Sequence, residues 1–221
     1  MTASTVRQCP DTRLDDNPAE VGQKRTVREP VSGRLAEYGT EMDLIDNGRL
    51  GPTFGDRVIK VNHAGENGAI HIYTGQIAMA QLTAPSLLAE LRDFRSHEMR
   101  HRLIFAEELS RRGVRRCRSY WLCGLGGLVL GLATGLFGRG AISATTAAVE
   151  RVVLAHLKEQ LSALGERDVH ATTAIAKIVA EEQEHLVQSA SHFDATAVWS
   201  RILSPIVAMA TESVIWLGMR L

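Results

Sequence analysis

The chain has 221 residues, enough for one domain with a sizeable core and too few for two large ones. Lysine plus arginine and aspartate plus glutamate both total 25, so no overall field draws the protein to nucleic acid or to strongly acidic ligands. Its three cysteines, Cys9, Cys117 and Cys123, make neither a disulfide framework nor a C-x-x-C zinc knuckle, which fits a reducing compartment.

Residues 1–52 are polar and broken by Pro10, Pro18, Pro30, Gly33 and the turn-like Asp46-Asn47-Gly48. This composition predicts a flexible tail ahead of a single helical domain over 53–221. The first 30 residues hold no continuous apolar run, which argues against a cleaved secretory signal.

Helical runs follow at 56–82 and 86–112, with Ser86 as the expected N-cap of the second and Gly113 as its stop. Two more are expected at 141–164 and 168–192, separated by Gly165, with Asp168 capping the last. No stretch alternates with period two over strand length, so the expected fold is all-α, a helical bundle.

Between the two pairs lies 121–137, uncharged and with Gly127, Gly131 and Gly135 at four-residue spacing, a small-residue face that permits close helix approach. Five arginines, at 111, 112, 115, 116 and 118, precede it. A second apolar run covers 198–217, and Trp121, Trp199 and Trp216 stand near the ends of the two segments, where amphipathic rings sit at a membrane interface. A span needs about 20 apolar residues, and the second run contains Pro205 and Glu212. Two membrane-facing helices lying in one leaflet are therefore preferred over spanning ones; the alternative is two core helices of a soluble bundle.

Glu98-Met99-Arg100-His101 and Glu182-Gln183-Glu184-His185 each set a carboxylate and an imidazole three residues apart, on one face of a helix. Either pair alone is weak evidence. However, Glu66 precedes Glu98 by 32 residues and Glu150 precedes Glu182 by the same 32, so one helix-turn-helix unit occurs twice. Each unit offers one Glu from its first helix and a Glu-x-x-His from its second, the ligand set of ferritin-like di-metal bundles. The repeat also selects Glu182 over Glu181, because only Glu182 reproduces the three-residue step to its histidine.

The expected metal ligands are thus Glu66, Glu98, His101, Glu150, Glu182 and His185, with Glu98 and Glu182 the symmetric choice for bridges. Four buried carboxylates are prohibitive alone and neutral with two divalent cations. Carboxylate and imidazole without thiolate suit iron or manganese. Tyr73, seven residues after Glu66, lies on the same helical face and is expected either to hydrogen-bond near the site, as a candidate catalytic residue, or to fill the core; His156 does not face the site. Gly65 and Gly68, inside the first helix, should each cost about 1 kcal/mol, which is expected where a helix or substrate comes close.

His97-Glu98-Met99-Arg100-His101 also spells H-E-x-x-H, a zinc peptidase signature. That reading leaves the second half of the repeat unexplained, and the extended motif is missing, with Ile104 where it wants Gly.

Over about 56–221 the sequence resembles the demethoxyubiquinone hydroxylase family of ubiquinone biosynthesis. The resemblance rests on His63-Ala64-Gly65-Glu66-Asn67-Gly68-Ala69, Ile72-Tyr73-Thr74-Gly75-Gln76, Glu98-x-x-His101, Ala148-Val149-Glu150 and Glu181-Glu182-Gln183-Glu184-His185. It departs from the family pattern at His97 and in the arginine-rich turn before the apolar third helix. The resemblance implies a ferritin-like four-helix bundle carrying two irons, which hydroxylates 3-demethoxyubiquinol with molecular oxygen and an external reductant. It places the protein peripherally on the cytoplasmic face of a bacterial inner membrane, with a polyprenyl quinol as substrate and other ubiquinone-biosynthesis proteins as possible neighbours. A ferritin-like ferroxidase is the alternative, disfavoured by the uncharged 121–137 segment.

Overall fold

The computed structural model describes residues 44–45, 49–50, 52–192 and 198–221. Leu44–Ile45 pairs antiparallel with Arg49–Leu50, and Pro52 precedes the first helix; the rest of the expected tail lies outside the described residues.

Six α-helices follow among the described residues. The first, α1 (Phe54–Thr83), opens on a capping box: Thr53 Oγ1 accepts from the Asp56 amide at 3.1 Å, and Asp56 Oδ2 accepts from the Thr53 amide at 2.9 Å. The second, α2 (Leu88–Arg112), starts from a 3-10 turn over Pro85–Leu87 and ends at Gly113, whose φ of 64° is the left-handed stop expected of glycine. Ser86 is not its cap: it sits inside the 3-10 turn, where its hydroxyl accepts from Arg139 at 3.2 Å, and no side chain caps α2.

The apolar α3 (Tyr120–Leu136) is followed by α4 (Arg139–Leu164), α5 (Val169–Ser191) and α6 (Val198–Gly218). Asp168 caps α5 as expected, accepting from the Ala171 amide at 3.1 Å.

Helices α1, α2, α4 and α5 form the four-helix bundle, with α1 against α2, α4 against α5, and the two pairs meeting through α2–α5 and α1–α4. Each pair then carries an apolar helix on its first member: α3 lies along α1 and α6 along α4. The repeated unit is therefore three helices long, one more than the spacing of the glutamates reveals.

Glycine explains how closely α3 lies on α1. A Cβ at Gly131 would collide with the backbone oxygen of Ile72, and one at Gly127 with that of Gly68. Gly65 differs: it is exposed and nothing would meet a side chain there, so the close approach expected at both glycines holds only at Gly68.

The outer faces of α3 and α6 are apolar and open, with Trp121, Leu125 and Val129 on one and Ile202, Ile206 and Met209 on the other. Helix α6 is long and apolar enough to cross a membrane, but its inner side is fastened to α4, where His156 Nε2 lies 2.8 Å from Glu212 Oε2. Helix α3, at 17 residues, is shorter than a span.

Two apolar clusters fill the bundle on either side of its middle. One joins Ile59, Phe105, Leu157, Ile175 and Ile178; the other joins Tyr73, Ile77, Leu91, Phe94 and Ile142. What lies between them is polar.

Candidate metal centre

The buried stripe of α2 runs Leu91, Phe94, Glu98, His101, Phe105, and that of α5 runs Ile175, Ile178, Glu182, His185, Ser189, the same steps of three and four. On α1 and α4, which are buried over more of their surface, the row that carries the glutamate includes Ile59, Glu66, Tyr73 and Ser143, Glu150, Leu157, seven apart. Apolar residues one or two turns away pull each stripe into the core, and the glutamates and histidines go in with them.

The structure brings all six expected residues together. Glu66, Glu98, Glu150, Glu182, His101 and His185 are each at most 5% exposed. They fall into two groups, Glu66, Glu98, His101 and Glu182, and then Glu98, Glu150, Glu182 and His185; within each group one ligand atom per residue lies within 4.8 Å of the others.

Glu98 and Glu182 belong to both groups, and each turns one oxygen to each histidine. His101 Nδ1 is 2.8 Å from Glu182 Oε1 and 3.7 Å from Glu98 Oε2. His185 Nδ1 is 3.3 Å from Glu98 Oε1 and 3.9 Å from Glu182 Oε2. Two cations held by these groups would share the two carboxylates.

The donor set fits metal by what it leaves unmet. Glu98 Oε1, Glu182 Oε1, His101 Nδ1 and His185 Nδ1 are buried without a hydrogen-bond partner, the near approaches among them being too poorly aligned to count. Four such atoms converging on one place are costly without a cation.

The same conflict shapes the acid–base behaviour. Burial, and then the neighbouring Glu98 carboxyl, pushes Glu66 well above the usual carboxylate range; burial and Glu182 do the same to Glu150, and burial and Glu98 raise Glu182. Burial opposes ionisation of Glu98 too, but His101 and His185 outweigh it and hold its carboxyl below the usual range. For His101 burial opposes the charge, yet the facing carboxylates of Glu182 and Glu98 push it up to about 10.

Tyr73, 2% exposed, reaches the site from α1: its hydroxyl donates to Glu150 Oε1 at 2.5 Å. His156 points away to α6, as expected.

His97 belongs to neither group, so the H-E-x-x-H run is not a two-histidine clamp here. It stands outside the centre, its Nδ1 2.9 Å from His185 Nε2. Glu181 is also outside, 36% exposed, with its Oε2 3.1 Å from His101 Nε2 and 3.0 Å from Arg100 Nη2. In the sequence Glu181 stands out as a rival ligand, and His97 as part of a rival motif and a departure from the family pattern. Each stands one turn before the ligand histidine of its own helix, which puts it at the outer edge of the ligand face but does not reveal its partner on the facing helix.

A narrow apolar cleft between α1 and α4 is lined by Ala69, Ile72, Tyr73, Thr146, Val149 and Glu150. Ile72 and Val149 also pack with Leu130 of α3 and Val207 of α6, so the cleft borders the two outer helices.

Comparison with known proteins identifies the family. The family model described as Ubiquinone biosynthesis protein COQ7 matches residues 53–218. The chain is 32% identical over 168 residues to the protein from Dictyostelium discoideum named NADPH-dependent 3-demethoxyubiquinone 3-hydroxylase, mitochondrial, covering 75% of this chain and 76% of that one. It is 30% identical over 214 residues to the Mus musculus protein of the same name, covering 91% and 95%. It is 29% identical over 165 residues to the 3-demethoxyubiquinol 3-hydroxylase of Rhodospirillum rubrum, covering 75% and 77%. With three quarters of its length matched and the buried glutamates and histidines of a ferritin-like bundle in that span, the chain belongs to the COQ7 family of ubiquinone biosynthesis proteins.

Proposed function

We propose that this chain is a di-iron monooxygenase that hydroxylates 3-demethoxyubiquinol, with residues 53–221 forming the catalytic domain. The observation that carries this reading is the sharing of Glu98 and Glu182 between two ligand groups, each closed by one histidine and one further glutamate. Glu66 and His101 complete one position; Glu150 and His185 complete the other. Family membership supplies the reaction and the quinol.

Two bound irons supply the activation of molecular oxygen, at the expense of an external reductant. The chain's own residues do the rest. Four carboxylates neutralise two divalent cations in a region closed to solvent by the apolar clusters. Tyr73 holds Glu150 by its hydroxyl, fixing the carboxylate nearest the cleft. The apolar cleft lined by Ile72 and Val149 is too narrow in this structure for a water molecule, so it would have to open for the quinol ring to approach between α1 and α4.

The polyprenyl tail lies along α3 and α6, whose outer faces are apolar over most of their length. These faces rest in one leaflet of the cytoplasmic side of a bacterial inner membrane, with the bundle above it. Arg116, stacked over Trp121 at 4.7 Å and over Tyr120 at 4.9 Å, sits at the head of α3, where a membrane interface favours both charges and aromatic rings.

The test is complementation of a bacterial strain that lacks its own hydroxylase and accumulates demethoxyubiquinone, with quinone extracts weighed by mass spectrometry. Restoration of ubiquinone is expected. Continued accumulation of the demethoxy compound, with the protein present and metal-loaded, contradicts the substrate assignment and leaves the ferroxidase reading.

A further inference from the structure

The two ligand histidines are held from behind by different partners. An imidazole that binds a cation through Nδ1 keeps its hydrogen on Nε2 and must donate it outward. For His101 the acceptor is a carboxylate: Glu181 Oε2 at 3.1 Å, itself held by Arg100 at 3.0 Å. For His185 the acceptor is the Nδ1 of another imidazole, His97, at 2.9 Å.

The hydrogen placement then propagates. Accepting at Nδ1 leaves the His97 hydrogen on Nε2, which points toward Asp93 Oδ1 at 3.5 Å. Glu181 Oε2 also lies 3.5 Å from His97 Nδ1, but it already receives His101 and Arg100. The buried Phe94 ring packs against His185 at 4.4 Å and offers it no acceptor. His97 is thus the one described side chain that takes the outward hydrogen of His185.

A carboxylate behind an imidazole makes it a stronger donor than a neutral imidazole does. We propose that the two metal positions are unequal, the one closed by His101 being the tighter, and that His97 is the positioning residue which orients His185 and makes the second position usable. The proposal rests on the metal-centre reading above. It concerns how the site loads, which the shared glutamates alone leave symmetric.

The test is an anaerobic titration of the full chain with Fe(II), and separately with Co(II), reading bound metal per chain and the Co(II) absorption spectrum. Wild-type protein should bind in two phases of unequal affinity. His97→Leu should weaken the second phase about 10–100-fold and leave the first unchanged. His97→Asn, whose amide oxygen can accept the same hydrogen, should restore most of that loss. Glu181→Gln should weaken the first phase instead, and it keeps His97 in place should the leucine variant fail to fold.

Two equal phases in the wild type, or an unaltered second phase in a folded His97→Leu protein, would overturn the proposal while leaving the metal centre standing. Failure of the wild type to bind metal at all would overturn the metal centre, and this inference with it.

Discussion

The hydroxyl of Tyr73, on the first helix of one repeat, donates at 2.5 Å to Glu150 Oε1, on the first helix of the other. The bond joins the two halves at the polar centre and occupies the carboxylate nearest the α1–α4 cleft. Tyr73→Phe removes the donor and keeps the ring that packs on Phe94. The variant should still bind two metals, but its metal-free form should lose about 1–3 kcal/mol in chemical denaturation, the cost of a buried acceptor left unmet. A denaturation midpoint equal to wild type would contradict the role given to this bond.

Glycines separate packing from propensity in the same way. Gly131→Ala drives a methyl group into the Ile72 backbone oxygen, and overpacking of that kind should cost about 1–3 kcal/mol. Gly65→Ala meets nothing and, in mid-helix, should stabilise by about 0.5–1 kcal/mol. Thermal or urea unfolding of the two variants, compared side by side, checks both the sign and the size.

In the metal-free centre burial and neighbouring carboxylates shift Glu66 and Glu150 toward their protonated forms, and His101, which Glu182 and Glu98 carry to about 10 against its burial, holds a proton at neutral pH. Ligation requires these groups without their protons. Metal loading should therefore release protons, and apparent affinity should fall as pH falls toward about 6. Proton release measured in weakly buffered solution during metal addition tests this; loading with no pH change, and an affinity indifferent to pH, would speak against it.

The open faces of α3 and α6 predict membrane binding that is separable from the metal site. Leu125 and Val129 are 64% and 60% exposed, so Leu125→Glu with Val129→Glu should weaken flotation with liposomes and leave metal content unchanged. Flotation undiminished by the double substitution would argue that the α3 face does not meet lipid.

Much of this was legible in the sequence, because the information is local or periodic. The caps at Gly113 and Asp168 follow from backbone chemistry that a few residues determine, and the six inward residues follow from two equal spacings. Ser86 misled because Pro85 at the start of a turn favours a tighter 3-10 geometry, which delays α2 by two residues. Gly65 misled because a helix-interior glycine implies close approach only on the packed side, and which side that is depends on tertiary placement. The outer partners, Glu181 and His97, were the least legible: each depends on α2 and α5 lying side by side in one particular register, which spacing along either helix cannot convey.

The central claim is that this buried centre puts oxygen onto a quinol ring. Purified protein reconstituted with Fe(II) should be given a demethoxyubiquinol analogue, a reductant and isotopically labelled molecular oxygen, and the product weighed. A single labelled oxygen atom in the hydroxylated ring is the predicted result. Unlabelled product, or iron oxidation with the quinol returned unchanged, would contradict it.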